Sequence, residues 1–543
     1  MRKIFRIGLS LLIFVVFSPL TRADDAEVQA LLHSLTEASL NETADIITQL
    51  EEAGGDSMMP LFETLLAGDL YYEKESKQLM LATKNDEGYS GAEVFTGADL
   101  GQFERGAVKK IRVNNALRTQ LREAIARINL SAESAQQRLH AVQTMLGELD
   151  ESSAQLIQER IAVEADSDVL AALREAYALY QLKSSADDEQ RLAAIAQLTG
   201  SLEPDVRVVL TQLLETNGDG EFIESSAPVR AAAATALKKI ESKISFYSFL
   251  EQLFFGLSLG SVLLLAAIGL AITFGVMGVI NMAHGEMMML GAYTTFAIQE
   301  YIMPGAIGYS LLVAIPLAFL VSGSVGVVIE RTVIRFLHGR PLETLLATFG
   351  ISLILQEVVK AIFTPLNRQV ITPQWMSGSL EINSVFSITY NRLYILIFAL
   401  LLFFALQLIM KKTSLGLNVR AVSQNRNMAK AIGIKTDRVD ALTFGLGSGI
   451  AGIAGVALSQ ITNVGPNLGQ SYIIDSFMVV VFGGVGNLMG TLVGGFTLGV
   501  ANKFLEPATG AVLAKILILV FIILFIQKRP KGLFPQKGRA AND

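Results

Sequence analysis

Hydrophobic and polar positions divide this chain into two regimes. From Asp24 to about Ser245 the apolar residues recur at helical intervals within a polar, acidic background. Val169, Leu173, Ala176, Tyr177 and Tyr180 stand at i, i+4, i+7, i+8 and i+11, and so do Val229, Ala233, Ala236, Leu237 and Ile240. Val206, Leu210, Leu213 and Leu214 repeat the first four positions. Each pattern predicts an amphipathic helix that buries one stripe. Between Leu70 and Val113 the rhythm changes to short runs, LYYEK, KQLMLATK and EVFTG, broken by Gly88, Gly91, Gly97, Gly101 and Gly106, which predicts short strands in a small hairpin insert.

Beyond Phe249 the apolar runs become long enough to cross a hydrocarbon core, which takes about 20 residues. No Asp, Glu, Lys or Arg occurs from Gln252 through Ala283. Further spans are expected near Tyr309 to Ile329, Glu343 to Phe363, Leu393 to Met410, Ala441 to Ile461, Ser476 to Asn502 and Ala511 to Gln527. Clusters of Lys and Arg mark the inner turns: Arg331, Arg335 and Arg340; the loop from Lys411; and the tail Lys528, Arg529, Lys531, Lys537 and Arg539. If Ser476 to Asn502 were one span, that tail would end outside. A break at Gly483-Gly484-Val485-Gly486-Asn487, giving two segments that return to one face, removes the conflict. Gly256 and Gly260, Gly445 and Gly449, Gly486, Gly490 and Gly494, and Gly495 and Gly499 recur at intervals that suit close helix packing.

Charge sharpens the division. Residues 1–250 carry 24 Lys/Arg against 38 Asp/Glu, and residues 251–543 carry 20 against 12, so an acidic half precedes a basic, apolar one. Residues 1–23 have Arg2, Lys3 and Arg6 ahead of a short apolar core from Ile7 to Phe17, then Thr21-Arg22-Ala23, the pattern of a secretory signal. Residues 24–245 then form an exported, mainly helical domain. Asp205-Val206-Arg207 and Pro228-Val229-Arg230 open two of its helices much as helices open in HEAT-type repeats, which implies a stacked helical array with an ordinary all-helical domain as the alternative. The chain has no cysteine, which excludes disulfides and thiolate chemistry.

Candidate chemistry is sparse. His33 and His140 are isolated. His284 and Glu286, in NMAHGEMMMLGAY, lie beside a long uncharged run, where ionisable groups are costly and frequently functional; they serve either a pathway or a helix turn. Asn281, Asn463, Asp475 and Asn487 are further polar candidates along a substrate path. No second histidine stands at metal-ligand spacing, so no metal is expected. Phosphate-binding loops, Gly-x-Ser-x-Gly elbows and His-Glu-x-x-His pairs are all missing from the sequence, which argues against an enzyme and predicts no cofactor on this chain.

The stretch Lys411 to Asp440 is the most informative. Lys411, Lys412, Arg420, Arg426, Lys430, Lys435 and Arg438 face only Asp437 and Asp440, and Val419, Val422, Ala429 and Ile432 lay an apolar stripe on a short helix that Gly433 stops. Gly416, Arg420, Ala421, Val422, Asn425 and Ala431-Ile432-Gly433-Ile434 fit a G-x-x-x-R-A-V/C-x-x-(D/N) pattern with a later L/I-G-I. In that pattern the C-terminal half resembles permease subunits of ATP-binding-cassette importers of the branched-chain amino acid type. The likeness recurs at Gly256 to Tyr293, Glu330 to Gln356 and Asp475 to Gly499. It implies an all-α polytopic permease domain over 249–530 with a cytoplasmic tail over 531–543, in a bacterial inner membrane with 24–245 on the periplasmic side. It also implies that Gly416, Arg420, Ala421, Asn425, Ala429 and Gly433 belong to a coupling loop seated in a nucleotide-binding subunit. The implied partners are separate ATPase subunits, a second homologous permease, a soluble exported binding protein and the lipid bilayer, with no nucleic acid.

For the substrate, the long exported domain and the segment NVGPNLGQSYIIDSFMVVVFGGVGNLMGTLVGG look more like the permeases assigned to urea uptake. A zwitterion would want paired charges along its path, and the sequence shows few deep ones, whereas urea needs only amides, carbonyls and a few acceptors. Urea or a short amide is therefore the expected substrate, with branched-chain amino acids as the alternative. A membrane-tethered helical-repeat receptor is the competing class, disfavoured by the glycine-lined spans.

Overall fold

The computed structural model describes residues 23–535 apart from 86–87, 148 and 186. The secretory signal expected over 1–23 therefore lies, except for Ala23, outside the described residues, as does the tail beyond Pro535. The chain divides into two compact units, residues 1–241 and 242–543.

The first unit is helical with one sheet. Helices α1 (Ala23–Leu35), α2 (Leu40–Gly54) and α3 (Met59–Ala67) precede strands β1 (Leu70–Glu73), β2 (Leu79–Lys84), β3 (Tyr89–Glu93), β4 (Asp99–Phe103) and β5 (Val108–Lys110). The strands pair antiparallel in the order β4-β3-β2-β1-β5, so the expected hairpin insert is a five-stranded meander with one end strand returning beside β1. Helices α4 (Asn115–Asn129), α5 (Ala135–Met145), α6 (Glu151–Val163), α7 (Ser167–Ser184), α8 (Asp188–Leu198) and α9 (Pro204–Gln212) follow. Asn114, Asp150, Asp166 and Asp187 cap four of them through side-chain oxygens that accept backbone N–H groups. Val169, Leu173 and Ala176 of α7 and Val206 and Leu210 of α9 are buried, as their spacing predicts, and Tyr177, Tyr180, Leu213 and Leu214 are half-buried. Between α5 and α7, Glu164 is buried and takes Arg138 through both oxygens at 2.8 Å, with Arg160 at 3.1 Å. These guanidinium bonds hold its carboxyl far below the usual range, at about 2.

Helix α10 (Ala227–Met277) starts with Val229, Ala233, Ala236, Leu237 and Ile240 buried and continues into the apolar unit. There follow α11 (His284–Ala297) with a π turn at Ile298–Ile302, α12 (Ile307–Thr332), α13 (Pro341–Phe363), hairpin strands β6 (Ser379–Glu381) and β7 (Ser387–Thr389), and α14 (Tyr390–Lys412). The chain continues through α15 (Ser414–Gln424), α16 (Arg426–Ala431), α17 (Thr436–Ser459), α18 (Leu468–Gly483), α19 (Leu488–Thr509) and α20 (Ala511–Lys528). Seven of the described helices are long and apolar enough to cross a membrane: α10, α12, α13, α14, α17, α19 and α20. The all-α polytopic class with a helical N-terminal part and a small β insert is thus the observed one.

Helix α17 lies at the centre, buried along nearly its whole length. It sits close to its neighbours because glycines remove side chains from the seam. A methyl group on Gly291 of α11 would meet the Gly452 backbone of α17, and one on Gly455 would meet the backbone of Met288 and Ala292. Helix α11 is itself buried on almost every side, and the span expectations omit it because His284, Glu286 and a length of only 14 residues break the apolar signal. Arg335 reaches Asp437 at 3.0 Å, so the basic α12–α13 turn and the Lys411–Asp440 stretch share one end of the bundle.

The anticipated break at 483–487 exists as a tight turn between antiparallel α18 and α19, with Gly483 packed on Gly490. The segment after α20 closes over that turn: Leu533 and Phe534 donate N–H to the carbonyls of Phe482 and Gly483 at 2.9 and 3.1 Å. The tail's first residues therefore join the basic end. At the opposite end, Arg368 and Val464 exchange backbone bonds at 2.7 and 2.8 Å, and Gln299 bonds the backbone of Ile371 in both directions at 2.9 Å.

Candidate functional site

Three places on the membrane unit gather polar chemistry. The first is the Lys411–Asp440 stretch at the basic end, where the single expected helix is two. Thr413 caps α15, Asn425 ends it and caps α16 by accepting the Met428 N–H at 2.9 Å, and Gly433 follows in the left-handed region at φ +90°. Gly416 lies directly against the Met410 backbone, so α15 folds back tightly on the end of α14.

The apolar stripe turns inward rather than outward. Val419, Val422 and Ala429 are buried against Val439, Met410, Val276 and Ile434 of this same chain, with Ala421 packed beside them. Arg420 donates to the Met410 carbonyl and so caps α14. Arg426 clamps Asp440 through two 2.8 Å bonds, and Asp440 is only 3% exposed. His338 stands 3.8 Å from the same carboxylate. Burial, and then the Arg426 charge, hold His338 below its ordinary value. What the stretch offers to its surroundings is Leu417, Met428 and Ile432, exposed by 61, 60 and 70%. Ile432 thus leaves the stripe to which its spacing assigned it.

The second place holds His284 and Glu286. Both are buried in the first turn of α11 but address different neighbours. The His284 ring contacts the Ala266 carbonyl of α10 at 3.0 Å, whereas Glu286 Oε1 accepts from Ser352 and Gln356 of α13, both at 2.8 Å. Thr344, Thr348, Ser352 and Gln356 form a buried polar row at four-residue spacing on α13, and Thr348 accepts the Met282 N–H at 3.1 Å. Asn281 belongs to the same turn, accepting the Ala283 N–H at 3.0 Å. These residues fasten α11 between α10 and α13.

The third place is a pair of cavities at opposite ends of the same helices. One, of about 640 Å³ at the basic end, is bordered by Gly275, Val276, Val419, Arg420, Asn487 and Phe534 among others. Asn487 there caps α19 by accepting the Gly490 N–H at 3.1 Å and donates to the Phe534 carbonyl at 3.1 Å. The other, of about 310 Å³ toward the opposite end, is lined by residues of α10, α14, α17, α18, α19 and α20, and Asp475 is among them. Asp475 pairs with Lys515 at 3.1 Å, and Lys503 with Glu506 at 2.6 Å. Asn463 sits apart, exposed in the turn before α18. Arg392, Lys503, Glu506 and Lys515 went unmarked in the sequence because they are isolated charges near span ends, and of the four only Lys503 and Glu506 are neighbours in the linear order. Among the described residues no group of His, Asp or Glu is arranged to hold a metal ion.

Residues 252–526 match the family model described as "Branched-chain amino acid transport system / permease component". The chain belongs to this family. Among its relatives, the high-affinity branched-chain amino acid transport system permease protein LivH of Salmonella typhimurium is 35% identical over 298 residues, 53% of this chain and 96% of that protein. BraD of Pseudomonas aeruginosa, with the same description, is 32% identical over 295 residues, again 53% of this chain and 96% of the relative. The ribose import permease RbsC of Bacillus subtilis is 32% identical over 113 residues, 20% of this chain and 35% of that protein. No solved structure matches. All the elements of the three places lie inside the family region or at its edge, and the whole of the first unit lies outside it. The chain is thus a multi-pass membrane permease, a transport subunit rather than an enzyme.

Proposed function

We propose that this chain is the membrane permease subunit of an ATP-driven importer for branched-chain amino acids, working in a bacterial inner membrane with residues 24–245 on the periplasmic side. The observation that carries the reading is the basic-end element built by α15 and α16. It is a rigid, capped pair of short helices, locked to α17 by Arg426 and Asp440, with Leu417, Met428 and Ile432 left uncovered. Exposed apolar anchors on a rigid element suit a cleft on a partner. An ATPase subunit seated there would transmit its motion through α17 to the centre of the bundle. The assembly also needs a second permease and an exported binding protein.

The relatives' names favour branched-chain amino acids over urea, and so do the paired charges around Asp475, which the sequence alone did not bring together. Two measurements test the proposal. Uptake of labelled leucine, and not of labelled urea, is expected to fall in cells lacking the chain and to return when it is resupplied; the reverse pattern restores the urea reading. Leu417→Asp with Ile432→Asp is expected to leave the permease inserted but release the ATPase on co-purification, and a retained ATPase refutes the docking surface.

A further inference from the structure

The cavity beside Asp475 contains more charge than its internal pairs consume. Asp475 is matched by Lys515 and Glu506 by Lys503. Arg392, at the start of α14, is the odd cation. Its guanidinium lies over the Phe255 ring at 4.9 Å and makes no ion pair or side-chain hydrogen bond to a described residue. A guanidinium presents a fork of donors that fits a carboxylate in a bidentate manner, and left unmatched at a cavity wall it favours an anionic guest.

A second observation points the same way. Ser258 of α10 lines this cavity, is fully buried, and its hydroxyl finds no hydrogen-bond partner. Buried polar groups are ordinarily satisfied, so an orphan hydroxyl at a cavity wall marks a place for a guest atom. Asp475 spends only Oδ2 on Lys515, which leaves its other oxygen free to accept. Tyr472, one turn earlier on α18, lies within electrostatic reach of both Arg392 and Asp475. The rest of the wall is mainly aliphatic, with Leu259, Val262, Leu458, Met478, Leu498 and Ile518, joined by the polar Thr462 and Asn502. At about 310 Å³ the space stands at the lower limit of small-molecule sites, roughly 300 to 1,000 Å³, and suits one small solute.

We propose that this cavity is a binding site for a free α-amino acid with an aliphatic side chain, its carboxylate on Arg392, its ammonium group on Asp475 and its side chain against the aliphatic wall. The assignment rests on the importer reading above and adds a location and a recognition chemistry to it. A neutral guest such as urea would leave the Arg392 charge unmatched, and a fatty acid would leave the free Asp475 oxygen without a donor. The zwitterion satisfies both.

The chain has no cysteine, so one introduced at the half-buried Met478 is the single thiol on this subunit, and its labelling is read on the tagged subunit. In membranes containing the assembled importer, alkylation of Met478→Cys by a small maleimide is timed with and without millimolar leucine, leucinamide, 4-methylpentanoate or urea. Leucine is expected to slow labelling, and the two analogues that lack one charged group, and urea, to do so far less. Placing Arg392→Gln in the same background is expected to abolish protection and to lower leucine uptake by about tenfold or more, the scale of a lost charge-assisted bond. Arg392→Lys, which keeps the charge without the fork, is expected to recover part of both. Membrane abundance and ATPase retention, scored for each variant, separate misfolding from lost recognition. If leucine uptake depends on the chain while leucine gives no protection, or urea and leucinamide protect equally, the site assignment is wrong and the importer reading stands. If leucine uptake does not depend on the chain, the importer reading itself fails.

Discussion

Replacing Arg426 by Gln removes one half of the clamp that ties α16 to α17. The carboxylate it leaves behind, Asp440, is 3% exposed and loses two bonds of 2.8 Å, with His338 remaining at 3.8 Å. Breaking a fully buried pair from one side costs about 3–5 kcal/mol. Arg426 is itself 32% exposed, so water screens part of the interaction and a loss of about 1–3 kcal/mol in the docking of α15 and α16 is the expected size. Hydrogen exchange in these two helices reads that loss directly, since 1.4 kcal/mol is about a tenfold drop in protection. The double variant with Asp440→Asn should recover much of it, because no buried charge is then stranded. Leucine-driven ATP hydrolysis by the assembled importer should fall with the single variant and partly return with the double one. Unchanged protection in Arg426→Gln, or strictly additive single effects, would show that the pair does not hold the element in place.

Three further expectations follow from the same geometry. Gly291→Ala, where the new methyl meets the Gly452 backbone, should destabilise the α11–α17 seam by about 1–3 kcal/mol, read as a lower Tm in detergent, with an unchanged Tm refuting the close approach. Single cysteines at Asn463 and Pro507, both exposed, should label from the periplasmic side, and one at Met489, also exposed, only after permeabilisation; labelling of the first two from opposite faces refutes the hairpin of α18 and α19. Because the Glu164 carboxyl is held at about 2 against an ordinary 4.5, the stability it contributes is complete above pH 4.5 and is lost as the pH falls toward 2. Exchange protection across α5 to α7, corrected for intrinsic rates, should fall in that window, and Glu164→Gln should flatten the profile.

Periodicity was sufficient where one pattern dominated a segment. The stripes at Val169 and Val229 became buried helix faces, the glycine-broken runs after Leu70 became a sheet, and charge parity located the turn at Gly484 to Asn487. It failed for α11, a short helix whose polar first turn finds partners in Ala266, Ser352 and Gln356 for one ring nitrogen of His284 and one oxygen of Glu286, because burial inside a protein removes the need for twenty apolar residues. It left the direction of the Val419 stripe open for a related reason: a pattern gives the apolar face of a helix but not whether that face meets its own chain or another. The charges around Asp475 were hidden most completely, since Arg392 and Lys515 are far apart in sequence and meet only after α14, α18 and α20 assemble.

The two cavities give this assembly its mechanical meaning. Ser258, Leu259, Val262 and Leu263 of α10 line one, Ala271, Ile272, Gly275 and Val276 line the other, and Leu264 to Leu270 between them are buried. At a rise of about 1.5 Å per residue the barrier is roughly 10 Å thick. Within it Gly269 faces Gly447 of α17, backbone against backbone, and on one cavity's side of it Gly260 meets the backbone and ring of Phe496 of α19. Seams without side chains have no interlocking ridges to hold their register, so a small slide along them costs less than repacking large residues. Helix α17 is the member that both forms such a seam and receives the Arg426–Asp440 clamp at its first turns. On the importer reading proposed above, a push on α15 and α16 would reach the barrier through one continuous helix, and the direction of access would follow from which side of the Gly269–Gly447 contact loosens.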